Sequence, residues 1–412
     1  MSIKIVKRPI ADEGLIPSGK ELKPNLMASI ERLNKLFASL EVYFVDRQTE
    51  LSQLKMALLT KEHMLMKGAP GTAKSQMSRA VFKGLTGGKI FETQFSKFMS
   101  EDYVFGPVNV KKLREDGEIV HNTKGTLVDA DFAFIDEVFD GSDVLLRSTL
   151  EIINERTFTR NAQAIACPLH TAVMTSNYVR EEEATEAFND RILFKADVQP
   201  VQDAEGRMTM YRIALANHSL SKVQVLKFGD LQAIVDFIRG NDNVEVSDAV
   251  LTVYDQVVRE FMRQTTKKVS DRTCVKMLTV LKASAVLRGR KSVLLEDILS
   301  IQDAMCVANN VAEQNVFESV YHRTVVQGRK DQTELADVLR LKNRVEKIVN
   351  EKQSADEDKD TVLKIRALQK FVNEELTKSQ QTVTAESAKE ELDKIGVTVD
   401  AAIQGLKATL EA

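Results

Sequence analysis

Apolar and polar positions follow two different periods along the chain. In the first half, short and mostly apolar runs, His63–Lys67, Ile90–Phe95, Asp131–Ile135 and His170–Thr175, alternate with stretches in which apolar residues recur at helical spacing. Buried strands interleaved with helices predict an α/β core with a doubly wound parallel sheet flanked by helices. All seven prolines lie at or before Pro200, and the residues after it keep helical spacing, so the second half should be almost entirely helical. The first helix is expected to start near Asn25, read as its cap, because Leu26, Ile30, Leu33, Phe37 and Leu40 fall on one face.

These patterns divide the chain into an extended N-terminal arm over residues 1–24, an α/β core over 25–215, an all-α lid over 216–305 and an α-helical C-terminal region over 306–412. Within the last region, Asn350 to Asp360 is polar and charge-dense and reads as an exposed linker. Two amphipathic helices are expected after it, roughly Thr361 to Lys378 and Thr384 to Leu410. No repeat at a fixed period is visible.

Composition narrows the function classes. Apolar residues make up 43% and charged residues 28%, the balance of a soluble globular protein. No apolar run approaches the roughly 20 residues of a spanning helix, and the N-terminus does not read as a secretory signal. The expected location is cytoplasmic. The 57 basic and 60 acidic residues leave a net charge of −3 without a long basic stripe, which weighs against nucleic acid as the main partner. Cys167, Cys274 and Cys306 are odd in number and far apart, and His63, His121, His170, His218 and His322 are dispersed, so neither type suggests a disulfide framework or a metal site.

The strongest chemical signal is Gly68-Ala69-Pro70-Gly71-Thr72-Ala73-Lys74-Ser75, between the apolar run HMLMK and the helical pattern SQMSRAVFKGL. Glycines let successive N–H groups point at phosphate oxygens, the helix N-terminus adds its dipole, a lysine reaches the β and γ phosphates, and a serine hydroxyl ligates Mg2+. The residue before Lys74 is Ala73 where the generic pattern has glycine; a methyl group there is compatible with a helix start. A plain Gly/Pro turn would read similarly in isolation, but the run Asp131–Ile135 ends in Asp136-Glu137, an acidic pair at the carboxyl end of a buried strand. Asp136 is expected to hold Mg2+ through water and Glu137 to polarise an attacking water.

Three further positions complete the series. The run from His170 ends at Ser176-Asn177, where Asn177 is placed to orient water and sense the γ-phosphate. Arg191, in Glu186–Phe194 (EAFNDRILF), precedes an apolar run and is a candidate cation for a neighbouring subunit's nucleotide, with an ion pair to Asp190 as the alternative. Arg272 lies in the first turn of a helix opened by Ser270-Asp271, where positive charge is unfavourable unless it faces an anion such as ATP.

The succession GAPGTAKS, FAFIDE, LLRSTLEIINERTF, TSN, AFNDRILF and SDRTCVKMLTVLKASAVLRGR resembles the MoxR family of AAA+ ATPases over roughly residues 25 to 305, and its INERTF and SDR…ASA…GR elements resemble the RavA group. The resemblance implies an AAA+ P-loop core and an ATPase with a Mg-ATP site between subunits of a homohexameric ring. It makes Arg191 the trans-acting finger and Arg272 the second sensor on the lid. It places Val42–Arg47, with Val45, near the adenine, and implies insertions over Lys97–Lys124 and a hairpin over Glu155–Ala166. The activity it implies is remodelling of a protein client, with a partner that carries a von Willebrand factor A domain. A nucleic-acid motor or loader, or a nucleotide-gated structural ring, are the alternatives. The chain departs from RavA after about residue 310, where no β-rich stretch matches the extra β-domain of that group.

Overall fold

Alternation along the central strands explains how the core is layered. In the computed structural model, which describes residues 22–160, 163–178, 191–215, 223–265, 267–350 and 357–411, the apolar runs become strands of one parallel sheet. Strands β1 (Met64–Lys67), β2 (Leu85–Thr86), β3 (Ile90–Gln94) and β4 (Phe132–Asp136) precede a hairpin of β5 (Thr157–Arg160) and β6 (Gln163–Ala166). Then follow β7 (Thr171–Ser176), β8 (Phe194–Asp197) and β9 (Leu226–Lys227). The main sheet runs β3-β4-β7-β1-β8, with every neighbouring pair parallel. Strand β8 is the fifth member, formed from a segment read in sequence only as an apolar run after a cation.

Among the described residues, six α-helices flank the strands up to β5: α1 (Pro24–Glu41), α2 (Gln48–Thr60), α3 (Lys74–Gly84), α4 (Glu101–Phe105), α5 (Val110–Asp116) and α6 (Asp143–Glu155). On one face of β4, Ala133 and Ile135 share a buried cluster with Leu145, Leu146, Leu150 and Ile153 of α6. On the other, the Phe132 ring lies 5.4 Å from Phe82 of α3 and 4.9 Å from Phe228. The period of two along a pleated strand produces this division. Helix α1 buries the expected face, but Asn25 is not its cap: Lys23 takes that position without a side-chain bond, and Pro24 occupies the first turn. Proline suits that place because its missing N–H would have no helical partner. Of the N-terminal arm, residues 1–21 lie outside the described residues.

The buried histidines are structural. Nδ1 of His63 accepts the Ala172 N–H at 2.9 Å, and Nε2 lies 3.0 Å from the Ile153 carbonyl and 2.6 Å from Arg156 Nη1. Burial, reinforced by Arg156, holds the imidazole pKa well below its usual value.

After β8 the described chain is helical apart from β9, which forms a two-residue ladder with β2. The helices Phe228–Arg239, Asp248–Gln264 and Asp271–Leu287 carry the lid, with Ser247 and Ser270 accepting backbone N–H groups as caps of the last two. The ASA…RGR element proves to be a scaffold. The fully buried Asp297 carboxylate accepts from Ser284 Oγ at 2.9 Å, Arg290 Nη1 at 2.8 Å, Arg290 Nη2 at 2.9 Å and the Leu294 N–H at 2.8 Å. Gly289 makes the turn with φ +77°, a conformation that costs glycine nothing. Residues 306–309 return to the core, where Ala308 exchanges backbone bonds with Lys195 and Asp197 of β8.

Contacts divide the chain into two units, Met1–Phe317 and Glu318–Ala412. The segment 306–317, assigned from sequence to the C-terminal region, belongs to the first unit, where Phe317 packs edge-on against Phe261 of the lid. In the second unit, Gly328–Asn350, Glu357–Phe371 and Glu386–Glu411 enclose a core of Val338, Val345, Leu368, Phe371, Leu392, Ile395 and Val399. The segment read as a linker therefore ends earlier than expected, since Glu357–Asp360 is already helical; residues 351–356 lie outside the described residues.

Breaking the Asp297 hub takes from Arg290, and from Arg288 at 3.3 Å, their buried carboxylate partner, leaving both with Glu296. Asp297→Ala should destabilise the protein by about 3 kcal/mol, read as a lower thermal midpoint of the full chain, whereas Ser284→Ala should cost about 1 kcal/mol.

Candidate functional site

The carboxyl ends of β1, β4 and β7 bring the sequence-predicted residues together. Strand β1 leads into Gly68–Ala73, and α3 starts at Lys74. Gly68 is required by close approach: a Cβ there would lie 2.2 Å from the Val198 carbonyl oxygen, just past β8. Gly71 adopts φ +80° in open space, which leaves the loop backbone accessible. Ala73 also has a left-handed backbone, φ +66°, at the helix N-cap. Its methyl is therefore not merely compatible with a helix start; it carries a conformational cost that glycine would not.

Lys74 is buried and aimed into the loop. Its Nζ donates to the carbonyls of Gly68 at 2.5 Å and Ala69 at 3.0 Å, and to Asn177 Oδ1 at 3.1 Å. Burial lowers its pKa, while Glu137 and Asp136 oppose the shift. Thr72 closes the loop by donating Oγ1 to the Ala69 carbonyl at 2.8 Å.

The two acids occupy different environments. Asp136 Oδ2 accepts the Ser75 hydroxyl at 2.9 Å, and Oδ1 accepts the Thr175 hydroxyl and the Glu137 N–H. Two hard oxygen donors, Ser75 Oγ and an Asp136 carboxylate, thus converge where a Mg2+ ion needs few protein ligands alongside phosphate oxygens. Glu137 has a left-handed backbone, φ +48°, and its carboxylate accepts the backbone N–H and the side-chain amide of Asn177. Burial raises its pKa, Asp136 and Asp140 add to the shift, and the Asn177 N–H and Lys74 oppose it. Lys74, Asn177 and Glu137 consequently form one hydrogen-bonded chain.

A 690 Å³ cavity opens beside the loop, lined by Tyr43, Phe44 and Val45 on one side, Gly71 and Thr72 on another, and Arg207 and Met210 of the helix Ala204–Leu215 opposite. A flat apolar base beside a polyphosphate cradle fits this shape. Four residues of the segment Val42–Arg47, namely Tyr43, Phe44, Val45 and Arg47, thus line this cavity. The helix approaches that segment closely at Gly206, where a Cβ would lie 2.6 Å from Asp46 Oδ2.

Arg191 and Arg272 are not brought to this site. Arg191 precedes β8, at the amino ends of the parallel strands, and its carbonyl accepts from Lys276 Nζ at 3.1 Å. Arg272 donates Nη1 to Asn154 Oδ1 at 3.2 Å, in the last turn of α6, whose following residue Arg156 binds the Lys61 carbonyl just before β1. From residue 62 to residue 68 a strand spans about 20 Å at about 3.3 Å per residue, so neither guanidinium reaches the phosphate loop of its own chain. Residues 179–190, including the Glu186–Asp190 stretch and the suggested Asp190 pair, lie outside the described residues.

Sequence reasoning missed Thr175 and Arg207. Thr175 was visible as a polar residue ending an apolar run, whereas nothing in the local pattern distinguishes Arg207, which reaches the cavity only through the packing of its helix. The insertion Lys97–Lys124 contains α4 and α5, and Phe98 in it is almost wholly exposed; the hairpin expected near Glu155–Ala166 is β5–β6.

Comparison with known proteins agrees with this arrangement. Residues 31–233 match the MoxR domain in the MoxR-vWA-beta-propeller ternary systems, and residues 250–320 match the AAA lid domain. An uncharacterized protein of Methanocaldococcus jannaschii is 29% identical over 65% of this chain and 68% of its own length. Chaperone MoxR1 of Mycobacterium tuberculosis is 24% identical over 69% of this chain and 76% of its own. A crystal structure of a candidate ATPase from Cytophaga hutchinsonii shares the fold, with a TM-score of 0.55 at 21% identity, covering 73% of this chain and 96% of that one.

The loop backbone makes two opposite expectations. Ala73→Gly should raise stability by about 1 kcal/mol by removing the left-handed penalty, and Gly68→Ala should lower it by about 1–3 kcal/mol through the clash with Val198. Thermal unfolding of both variants checks the pair.

Proposed function

We propose that this chain, which carries a MoxR-type AAA+ ATPase domain over residues 31–233 and an AAA lid over 250–320, hydrolyses ATP within a homohexameric ring and uses the turnover to remodel a protein client. The observation that carries this reading is the polarity of the sheet. The phosphate loop, Asp136, Glu137 and Asn177 gather at the carboxyl edge, while Arg191 and Arg272 stand at the amino edge. A molecule with both halves of a hydrolytic site at opposite ends completes each site only with a neighbouring copy.

In this reading Gly68–Ser75 bind the polyphosphate, and the cavity beside Val45 takes the adenine. Ser75 and Asp136 would hold Mg2+, which would supply neutralisation of the polyphosphate's charge. Glu137 accepts a proton from the attacking water as its oxygen bonds to the γ-phosphorus and the bond to the ADP oxygen breaks. Before that, Asn177 must release the Glu137 carboxylate and Lys74 must exchange its carbonyl partners for phosphate oxygens. Arg191 and Arg272 of the adjacent copy stabilise charge on the transferring group.

The INERTF and SDR…ASA…GR elements support a RavA-like position within the family. The family description, which couples MoxR with vWA and beta-propeller components, supports a partner with a von Willebrand factor A domain. The chaperone name of the mycobacterial relative supports remodelling. Among the described residues no helix is long and apolar enough to cross a membrane, and we assign the machine to the cytoplasm.

Two outcomes test this reading. Glu137 must be ionised to accept a proton and its pKa is raised, so kcat should fall with decreasing pH through a range above the usual glutamate value of about 4.3. Glu137→Gln should lower kcat by about 10²-fold or more and remove that acidic limb in a pH profile. Mixing Arg191→Ala with Glu137→Gln subunits should restore turnover above that of either variant alone, because some interfaces then pair an intact Glu137 with an intact Arg191; mixtures no more active than the separate variants would contradict action across an interface.

A further inference from the structure

Lys276 joins three elements that the reaction needs at one place. Its ammonium lies 2.7 Å from Glu62 Oε2, immediately before β1, and 3.1 Å from the Arg191 carbonyl, shortly before β8. The pair is largely withdrawn from solvent, with 21% of the lysine side chain and 13% of the glutamate exposed. Strands β1 and β8 are parallel neighbours in register from Met64 and Phe194 onward, so their entering segments run side by side, and Lys276 bridges them from the lid. It stands one helical turn from Arg272 on Asp271–Leu287, and positions i and i+4 share a helix face.

We infer that Lys276 is a positioning residue that locks Arg191 and Arg272 into one rigid unit by pinning the Arg191 backbone to the lid helix that carries Arg272. The inference rests on the reading that both arginines serve a neighbouring copy's nucleotide. Glu62 fixes the ammonium, the ammonium fixes the carbonyl, and the helix sets the spacing between the two guanidinium groups. A long cation on a flexible stem loses side-chain entropy when held this way, and the partly buried carboxylate offsets that loss. The lid thereby transmits its orientation to Arg191. Glu62 also faces the buried Arg156, so a purely structural contribution has to be separated from the positioning one.

A double-mutant cycle of Lys276→Met with Arg191→Ala makes that separation. It is read by single-turnover release of labelled phosphate, with KM for ATP and thermal midpoint measured on each variant. Lys276→Met should lower the rate on the order of tenfold with KM unchanged, because a misplaced group costs transition-state stabilisation rather than binding. In the Arg191→Ala background the same substitution should change the residual rate less than twofold, and Lys276→Arg should recover most of the loss. Equal losses in both backgrounds overturn the inference. So does an unaltered rate in Lys276→Met beside a large loss in Arg191→Ala, which leaves the trans role of Arg191 standing. Wild-type turnover in Arg191→Ala removes the underlying reading and the inference with it. If Lys276→Met fails to fold, the neutral pair Glu62→Gln with Lys276→Met replaces it in the same cycle, since removing both charges together avoids a stranded buried carboxylate.

Discussion

The register of three parallel strands is the constraint on which the rest of this molecule depends. Met66 and Lys67 of β1 lie abreast of Thr175 and Ser176 of β7, and Ile135 of β4 lies abreast of Met174. That alignment sets Asp136 between Ser75 and Thr175, and Asn177 between Lys74 and Glu137. A slip of one residue would turn every side chain to the opposite face and separate these groups. The register is held by burial on both faces of the sheet, where Phe132 and Phe134 pack on one side and Ala133 and Ile135 on the other. The chemistry at the rim therefore draws its geometry from apolar packing beneath it.

Parallel strands also give the sheet two unlike edges. The carboxyl edge gathers the phosphate loop and acids, and the amino edge gathers cations: Arg156 and Lys61 stand there with Lys276 and Arg191. Desolvation lowers the Arg156 pKa to about 10 and neighbouring cations add to the effect on His170, held at about 3. An ion pair as largely buried as Glu62–Lys276 contributes little net stability in itself. Its value here is directional, since it ties the lid to the strand entries.

Of the six non-glycine residues with a left-handed backbone among the described ones, two lie where the nucleotide chemistry is expected. Ala73 and Glu137 both adopt left-handed conformations, each costing roughly 1–2 kcal/mol for a residue with a Cβ. The surrounding bonds over-determine them, because Lys74 is tied to two loop carbonyls and the Glu137 carboxylate to Asn177. Strain held this way is typical of sites whose groups must change partners. Lys74 and Asn177 occupy each other in this arrangement, and both have a competing use once a polyphosphate is bound.

Much of the fold was legible in the chain itself. Four strands followed from short apolar runs, the long helices from 3.6-residue spacing, and the phosphate loop from glycines between a strand and a helix, because these signals are local and each element must bury its own face. The carboxylate pair at the end of β4 and Asn177 after β7 were legible for the same reason: a strand end places its last residue and whatever follows at the sheet's rim. What could not be read is what depends on one element lying against another. Strand β8 mixes Lys195 and Asp197 with apolar residues, and only pairing with β1 and the return of Ala308 make it part of the sheet. Asn25 looked like a cap until Pro24 took the first turn. Arg272 looked aimed at an anion such as ATP, and nothing local marked Arg207; packing sets Arg272 against Asn154 and brings the helix of Arg207 to the cavity. Spacing along a chain encodes periodicity, whereas distances between elements arise from side chains that interlock only after collapse.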